Sequence, residues 1–385
     1  MPNRSEQSAA ELVTSIGGLD AVEDEWRVLA EGRGNVFITP EWFRSWHRQY
    51  GGGQAVLVAV VRHLDGSVRG VVPLVGDLRG VPRRIRFAGA NLSDHLQPAA
   101  APGDEVEVAA AAGRAVAETR SWSMIVLDNV EAQATWPQAM ATAAGQKGRA
   151  HRQAALPLID LRAAGSWDAY LASRSRNFRS QIGRFKRRLE SEHRVEFRCA
   201  SDPARLPEEL ATFFRLHDAR WATRGGSSSA GVRVRRFHSD FAARALERGW
   251  LRLWFLDLDD EPVAAWYGWS LGGRYSYYLA GFDPRWSDQR VGLVLLAHTV
   301  RSAFEEGAVE YDMLLGDEAY KDRFASSRRQ VETVLAARAS HPARALAAAE
   351  VGAWHLARRL PEERRRRLHE ALGFATRHLP GDRSR

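Results

Sequence analysis

The sequence predicts an α/β (α+β) fold built from two similar halves, each a mixed, mostly antiparallel sheet flanked by helices. A chain of 385 residues exceeds one ordinary hydrophobic core, which favours two domains. A hydrophobic content of 45% with 13 tryptophans indicates packed globular domains rather than disorder. Both halves show the same order of strand, acidic turn, strand, turn, strand, loop, helix and strand. We therefore predict domains at 1–165 and 166–338, followed by an arginine-rich helical tail at 339–385.

The first half opens with a helical segment at 18–31 and a second helix that begins after Thr39. Thr39 suits a helix N-cap, and Pro40 suits the first helical position, where a missing N–H is tolerated. Apolar and alternating runs between turn residues give the remaining elements. The expected strands are at 55–62, 68–75, 85–89, 124–128 and 156–161, and the expected helices are at 105–119 and 136–146.

The second half repeats this order and is preceded by a cationic helix. One amphipathic helix is expected at 173–189 because apolar residues from Phe178 to Leu189 recur at helical spacing. Its arginine-rich outer face is either solvated or in contact with phosphates. The expected later helices are at 208–223, 232–248 and 293–307, and the expected strands are at 251–258, 263–271, 275–282 and 309–315. The loop at 225–231 is a candidate lid, and the arginine run at 364–367 is expected to be solvated.

Composition argues against several classes of protein. The longest apolar runs are strand-sized, so no integral membrane span is predicted. The polar N-terminus predicts no signal peptide, and the single cysteine, Cys199, can form no internal disulfide, which together favour a cytoplasmic protein. One cysteine also excludes a Cys-rich zinc site, and no metal is predicted. Cys199 is expected in a strand, not as a nucleophile. The net charge of +8 favours an anionic partner or reflects an arginine-rich composition.

The connection between the strand at 275–282 and the following helix is a candidate phosphate site. It contains Gln289, Arg290, Val291, Gly292 and Leu293. A strand that leads into a helix through a glycine-containing turn presents backbone N–H groups and the positive end of the helix dipole. A pyrophosphate can therefore dock there without lysines, and Gly292 would allow close approach of the backbone.

The pattern from Gln289 to Gly292 resembles the acyl-CoA pyrophosphate loop of GNAT acyltransferases, although Val294 stands where that loop has glycine or alanine. Other segments resemble the CelD/BcsL-like acetyltransferases of this superfamily, which are related to the Fem peptidyltransferases. These segments lie at 37–42, 72–74, 173–189, 216–221, 311–316 and 320–321. The resemblance covers roughly residues 20–330 and implies two tandem GNAT-like domains.

The resemblance further implies that the second domain holds acetyl-CoA or another acyl-CoA as the acyl donor. The corresponding loop of the first half, at 91–98, contains Pro98 and the acidic Asp94, which would not cradle a pyrophosphate. The first domain is therefore expected to be degenerate and to shape the acceptor side. Asp94 and His95 are candidates for acceptor contacts.

GNAT chemistry, as the resemblance implies it, is direct attack of the acceptor on the thioester, which requires a base and donors for the developing oxyanion. The candidate bases are Asp312, His217 and Asp218, with Asp317 a further possibility. His217 could instead be a packing histidine, and Asp312 could instead pair with Lys321 or Arg323. Substrate contacts are expected from Trp221, Tyr320 and Lys321.

Three functions remain open at this stage. The leading one is acyl transfer from acyl-CoA to an amine or hydroxyl of a sugar, peptide or polysaccharide precursor. The second is a Fem-like transfer from aminoacyl-tRNA, which the basic helix at 173–189 suits. The third is a non-catalytic GNAT-like module that binds RNA or a polymer. The acceptor and the oligomeric state are not indicated by the sequence.

Overall fold

The structure, a computed structural model, describes residues 9–119, 121–222, 231–316, 318–338 and 342–357, apart from the side chains of 152, 350 and 353–357. These residues form two compact units. Unit 1 contains the described residues up to Ala155 and those from Arg329 onward, and unit 2 contains Leu156–Arg328. The predicted domain boundaries at 1–165, 166–338 and 339–385 stay a prediction. The candidate lid at 225–231 lies outside the described residues except for Gly231, as does the arginine run at 364–367.

Unit 1 is built on an antiparallel meander followed by a helix and a parallel strand. Its strands are β1 (Ala10–Val13), β2 (Ala55–Arg62), β3 (Val68–Asp77), β4 (Arg84–Phe87), β5 (Ala99–Ala100) and β6 (Met124–Glu131), and its helices are α1 (Glu23–Gly32), α2 (Pro40–Tyr50), α3 (Glu105–Glu118) and α4 (Trp136–Ala143). β1, β2, β3 and β4 pair antiparallel in sequence order, and β4 then pairs in parallel with β6. α3 connects the two parallel strands and packs on β2 and β3.

Unit 2 repeats this arrangement. Its strands after β7 (Arg149–Asp160) are β8 (Val195–Cys199), β9 (Leu251–Leu258), β10 (Glu261–Leu271), β11 (Arg274–Phe282) and β12 (Glu310–Asp312), and its helices are α5 (Leu161–Ala164), α6 (Trp167–Ser173), α7 (Arg176–Glu192), α8 (Leu206–Trp221), α9 (Val232–Glu247), α10 (Val291–Glu305) and α11 (Ala319–Phe324). β8 to β11 pair antiparallel in sequence order, and β11 then pairs in parallel with β12. α10 connects these two parallel strands.

Helices cover both faces of the unit 2 sheet, and neighbouring residues of β10 show which helices lie on which face. Trp266 packs in a core cluster with residues of α7 and α10. The next residue, Tyr267, contacts the rings of Phe213 in α8 and His238 in α9. Successive residues of a strand point to opposite faces, so α10 and α7 cover one face, and α8 and α9 cover the other.

Each unit receives its last strand from a distant part of the sequence. β13 (Ser327–Ala337) follows all the elements of unit 2, yet its residues from Val331 onward pair antiparallel with β6 in unit 1. α12 (Ala343–Ala357) packs against the same region through Ala343 and Ala347. Conversely, the end of β7, which follows the helices of the first half, pairs antiparallel with β12 in unit 2. The two repeats are therefore interleaved along the chain.

Most predicted elements are confirmed, with four corrections. The cationic helix does not run from 173, because Ser175 accepts a hydrogen bond from the backbone N–H of Phe178 and so caps a helix that starts at Arg176. The predicted strand at 309–315 ends at Asp312, the helix expected to begin at 293 starts at Val291, and β13 was not predicted. The Thr39 cap is confirmed, since its hydroxyl accepts from Trp42 N at 3.2 Å. None of the helices in the described part of the chain is long and apolar enough to span a membrane.

Candidate functional site

β11 and β12 form a parallel pair that opens after three residues. Arg274–Ser276 of β11 pair with Glu310–Asp312 of β12. β11 then continues to Phe282, whereas the backbone that follows β12 turns away from it. The turn includes Leu314 at φ +54° and Gly316 at φ +135°. Only β10 flanks the last six residues of β11 within the described sheet. A gap therefore opens between two neighbouring parallel strands, at the end of β11 that leads to α10.

Two side chains hold the turn that follows β12. The buried carboxylate of Asp312 accepts from Leu314 N at 2.8 Å, which stabilises a left-handed leucine that would otherwise be strained. The ammonium of Lys321 in α11 donates to the carbonyl of Leu315 at 2.8 Å. The shape of the gap thus depends on Asp312 and Lys321.

α8 crosses β11 in direct backbone contact at Gly281. A Cβ atom at Gly281 would lie 2.3 Å from the backbone nitrogen of His217, so no larger residue fits without moving the helix. This approach brings two α8 side chains to the neighbouring carbonyl of Ala280. His217 Nδ1 lies 2.9 Å from this oxygen, and Arg220 Nη1 donates to it at 3.3 Å. Because a carbonyl only accepts, Nδ1 of His217 carries the hydrogen, and the neutral ring has Nε2 as its proton acceptor.

Five polar side chains meet beside the gap and are named here the β11–α11 cluster. Its members are Arg220, Tyr277, Glu318, Tyr320 and Lys321. The hydroxyls of Tyr277 and Tyr320 lie 2.8 Å apart, and Arg220 interacts with both. Lys321 pairs with Glu318 at 3.1 Å and lies 5.6 Å from the centre of the Tyr277 ring. The cluster joins α8, β11 and α11.

The pKa shifts in this cluster keep both phenols neutral and keep Glu318 and Arg220 charged. Burial raises the pKa of Tyr320 to about 12 and raises the pKa of Tyr277 still further. For Glu318, burial acts upward, but Lys321, a backbone hydrogen bond and Arg220 together outweigh it and lower the carboxyl pKa. For Arg220, burial acts downward, but its interactions with Tyr320 and Tyr277 raise the pKa overall. At neutral pH the cluster therefore contains two cations, one anion and two phenol donors.

The loop before α10 lies close to this cluster. Arg290 adopts a left-handed conformation at φ +55°, and no side chain caps the N-terminus of α10. Leu293 and Val294 donate backward to the carbonyl of Arg290, which leaves the earlier N–H groups of the helix to outside partners. A Cβ atom at Gly292 would meet the ring of Phe282 at 3.4 Å, an ordinary contact. The same ring lies 5.6 Å from the guanidinium of Arg220, so Phe282 links loop and cluster.

Comparisons with known proteins agree with this geometry. Residues 176–322 match the family model described as an acetyltransferase (GNAT) domain. The matched residues lie within unit 2, which therefore contains a region similar to a GNAT domain. Among curated proteins none matches the chain. Solved structures with the same fold include FemX, at TM-score 0.61 and 13% identity over 80% of this chain and 95% of that one.

Two other solved structures have the same fold. The C-terminal domain of a putative lysylphosphatidylglycerol synthetase from Agrobacterium fabrum gives TM-score 0.53 at 12% identity, over 86% of this chain and 96% of that one. L-PGS from Bacillus licheniformis gives 0.51 at 14% identity, over 83% and 92%. At these identities the likeness concerns the fold alone. The family match supports the suspected relation to GNAT proteins, and the likeness to FemX supports a mixed, mostly antiparallel α/β fold.

Several of the predicted site residues meet in unit 2. His217, Tyr320 and Lys321 lie around Ala280 or in the β11–α11 cluster. Trp221 lies beside them, with its ring 6.3 Å from the His217 ring and 5.4 Å from the guanidinium carbon of Arg220. The predicted loop from Gln289 to Leu293 lies beside them, across Phe282. Asp312 lies at the point where the strands separate.

Three other candidates lie elsewhere. Asp218 projects from α8 toward α9, where it forms an ion pair with Arg235. Asp94 and His95 are buried in unit 1, in a loop whose carbonyls accept from side chains: Asn129 donates to Ser93 at 2.8 Å and Asn35 to His95 at 3.1 Å. Asp317 lies outside the described residues.

The sequence did not single out Arg220, Tyr277 or Glu318 as site residues. The signals were present in the tyrosine-rich strand at 275–282 and in the arginine between two predicted contacts, His217 and Trp221. Cys199 ends β8, and burial raises its thiol pKa to about 11, which suits a structural residue. In the described part of the chain, no group of three or more His, Cys, Asp or Glu side chains is placed to hold a metal.

Proposed function

We propose that the protein is an acyltransferase that moves an acetyl or other acyl group from acyl-CoA to an amine or hydroxyl of a sugar, peptide or polysaccharide precursor. The observation that carries the proposal is the gap between β11 and β12, with the uncapped N-terminus of α10 at its end. Where the parallel strands β11 and β12 separate, backbone N–H and C=O groups of β11 are left without a neighbouring strand on that side of the described sheet. These groups can form hydrogen bonds with an extended ligand such as a pantetheine arm. The family match to an acetyltransferase domain supports the same reading.

The donor phosphates fit the residues from Gln289 to Leu293. Backbone N–H groups at the start of α10 and the positive end of its dipole favour anions. The backbone φ of Gly292 is not left-handed, and a Cβ would fit there, so the fold does not itself require glycine. A glycine that the fold does not need is consistent with close approach of a ligand.

The reaction forms a bond from the acceptor nitrogen or oxygen to the acyl carbon, breaks the carbon–sulfur bond and moves one proton from acceptor to thiolate. His217 is the better-placed base, because its Nδ1–H points to Ala280 and its neutral ring accepts at Nε2. The phenols of Tyr277 and Tyr320 stay protonated and can stabilise negative charge on oxygen or sulfur. Asp312, whose carboxylate orders the turn at Leu314, is the second candidate base.

Unit 1 is proposed to shape the acceptor side, with Asp94 and His95 as its candidate contacts. An amine or hydroxyl acceptor on a peptide or glycan would suit either an N- or an O-acyltransferase. The proposed setting is the cytoplasm, where acyl-CoA is available.

A Fem-like transfer from aminoacyl-tRNA is the second candidate. The likeness to FemX and the exposed arginines of α7, such as Arg176, Arg184 and Arg187, support it, since basic helices bind phosphate backbones. A non-catalytic polymer-binding module would share those arginines but would need no donor site.

Isothermal titration calorimetry of the full chain separates acyl transfer from acyl-CoA from the two alternatives. Acetyl-CoA should bind with a Kd below about 1 mM, the weakest affinity that such a donor site needs. Deacylated tRNA at 0.15 M salt is the second ligand, because salt suppresses unspecific binding. Binding of tRNA without acetyl-CoA would favour the Fem-like function, and a lack of acetyl-CoA binding at millimolar concentration contradicts the proposal.

A further inference from the structure

The β11–α11 cluster holds more positive charge than its own carboxylate neutralises. Arg220 and Lys321 are cations, whereas Glu318 is the single acid that the cluster contributes. Glu318 is already engaged by Lys321 at 3.1 Å, and Lys321 also donates to the carbonyl of Leu315. The remaining net charge of the cluster therefore resides on Arg220.

Arg220 differs from other arginines that pack on this sheet. Arg198 pairs with Asp257 and Glu209, Arg252 pairs with Glu306, and Arg274 pairs with Glu310. Among the described residues, Arg220 forms no salt bridge, and its acidic neighbour Glu318, with which it interacts electrostatically, pairs with Lys321. A guanidinium removed from water is costly unless an anion compensates it, so the absence of a carboxylate partner indicates a place for one.

The surroundings of Arg220 fit an amphiphilic ligand. Its guanidinium carbon lies 5.4 Å, 5.6 Å and 5.9 Å from the ring centres of Trp221, Phe282 and Tyr320. Only Nη1 has a carbonyl acceptor, Ala280 at 3.3 Å, and this bond is long. The guanidinium also has side-chain hydrogen bonds with Tyr320 and Tyr277 but no carboxylate in a salt bridge with it among the described residues. Aromatic walls around such a guanidinium provide apolar contact and a charged anchor together.

The hydroxyl groups of Tyr277 and Tyr320 provide a second hydrogen-bond donor beside Arg220. The hydroxyls of Tyr277 and Tyr320 share one hydrogen bond at 2.8 Å, in which one phenol donates to the other. The accepting phenol keeps its own hydrogen, and Arg220 can supply only further donors to it. One O–H of the pair is thus available to an acceptor atom from outside.

We infer that the acceptor substrate carries a carboxylate group, which binds Arg220 and the available phenol O–H. This inference rests on the proposed function in one respect, namely that the ligand bound at the β11–α11 cluster, beside the donor in the gap, is the acceptor. A planar guanidinium matches a carboxylate with two parallel hydrogen bonds. A phosphate ester would call for several cations around one anion, whereas Lys321 is already paired with Glu318. Arg220 is then a specificity residue that selects acids over their neutral analogues.

Calorimetry with a matched pair of probes tests the inference without any turnover. The probes are 3-phenylpropanoate and 3-phenylpropanamide, which share a ring and differ in charge. The unaltered protein should bind the acid at least about tenfold more tightly than the amide, as expected for a charge-assisted bidentate contact. In Arg220→Gln this preference should vanish. In the control Arg235→Gln, which removes a neighbouring arginine paired with Asp218, the preference should persist.

Three results would overturn the inference: equal binding of acid and amide, binding of neither probe, or equal loss in the Arg220 and Arg235 variants. Tighter binding of inorganic phosphate than of the acid would also overturn it, in favour of a phosphate site. If Arg220→Gln unfolds, Arg220→Lys provides the second variant. Lysine keeps the charge but not the planar guanidinium that binds a carboxylate through two hydrogen bonds, so this variant should retain only part of the preference. A separate acetyl-CoA titration distinguishes the two proposals. If the protein does not bind acetyl-CoA but still prefers the acid to the amide, the acyl-transfer proposal is rejected and the carboxylate site is retained.

Discussion

α3 and α10 occupy the same place in the two repeats, yet their N-termini differ. Each follows the last strand of a meander and precedes the parallel strand. α3 has Asp104 at its N-cap and Glu105 and Glu107 in its first turn, and Glu105 accepts from the backbone N–H of Gly103 at 2.8 Å. α10 has Arg290 at its N-cap, no acidic residue in its first turn and no side-chain cap.

With the proposed donor site at α10, this difference would mean that one fold keeps an anion site in one repeat and loses it in the other. Carboxylates at the start of α3, which pair with Arg33 and Arg69, occupy this helix end from within the protein and leave less of its partial positive charge for an incoming phosphate. At α10 the same charge is left for a ligand. The comparison favours a donor site in unit 2 alone, and four predictions test or refine it.

The largest effect should follow removal of the proposed base from unit 2. His217→Gln keeps a polar side chain but not the proton acceptor, so kcat should fall by about 100- to 10,000-fold while the acetyl-CoA affinity stays the same. His95→Gln in unit 1 is the matched control, and it should alter KM for the acceptor rather than kcat. Steady-state kinetics and calorimetry measure both. An unchanged kcat for His217→Gln would transfer the role to Asp312, for which Asp312→Asn is the variant to measure.

The second effect concerns the helix N-termini directly. Gly292→Glu gives α10 the acidic first turn of α3, and repulsion of the donor phosphates should weaken acetyl-CoA binding about 100-fold. Gly292→Gln has a similar size without the charge and separates repulsion from bulk.

The converse variant applies the comparison to unit 1. Glu105→Gln together with Glu107→Gln removes acids from the start of α3 and should not create a second acetyl-CoA site, because the loop before α3 remains closed by its own hydrogen bonds.

For the Gly292→Glu variant, an acetyl-CoA affinity equal to that of the unaltered protein would contradict the assignment of the donor site to α10.

A third prediction contrasts two glycines of unit 2. Gly281→Ala should destabilise the protein by about 1–3 kcal/mol, because the new Cβ would overlap the backbone of α8 at 2.3 Å. Gly292→Ala should be nearly neutral, since its Cβ meets Phe282 at 3.4 Å. Urea unfolding compares the two. Equal stabilities would show that α8 does not contact β11 as closely as described.

The smallest expected effect is the pH dependence of stability that His298 of α10 causes. Burial lowers the pKa of His298 to about 4, and its ring stacks on Phe197 with centroids 4.0 Å apart. Between pH 6.5 and 4 the unfolded chain binds this proton and the folded protein does not, so stability should fall as the pH falls through this window. His298→Phe should reduce that dependence. A pH profile of urea unfolding that is identical in both proteins would contradict it.

The sequence predicted what local patterns determine. The order of strands and helices, the Thr39 cap and the loop before α10 follow from hydrophobic spacing and turn residues, and they are confirmed apart from small shifts of their ends. The assignment of a donor to that loop stays a prediction.

The β11–α11 cluster could not be predicted in the same way. Arg220, Tyr277 and Tyr320 meet because α8 crosses β11 at Gly281 and because β12 turns away from β11 after Asp312. Both causes are long-range contacts with no local sequence pattern. The exchange of final strands was missed for the same reason, since the apolar run of β13 does not say which sheet it joins.

The interleaving of the final strands also affects the order in which the chain can fold. During synthesis, β6 leaves the ribosome long before β13, the strand that covers its edge. The sheet of unit 1 must therefore wait with an open edge while all of unit 2 is made, and open strand edges attract unwanted pairing. Nascent chains that stall within unit 2 would present this edge, so the first half of the sequence depends on the completion of the second for its protection from aggregation.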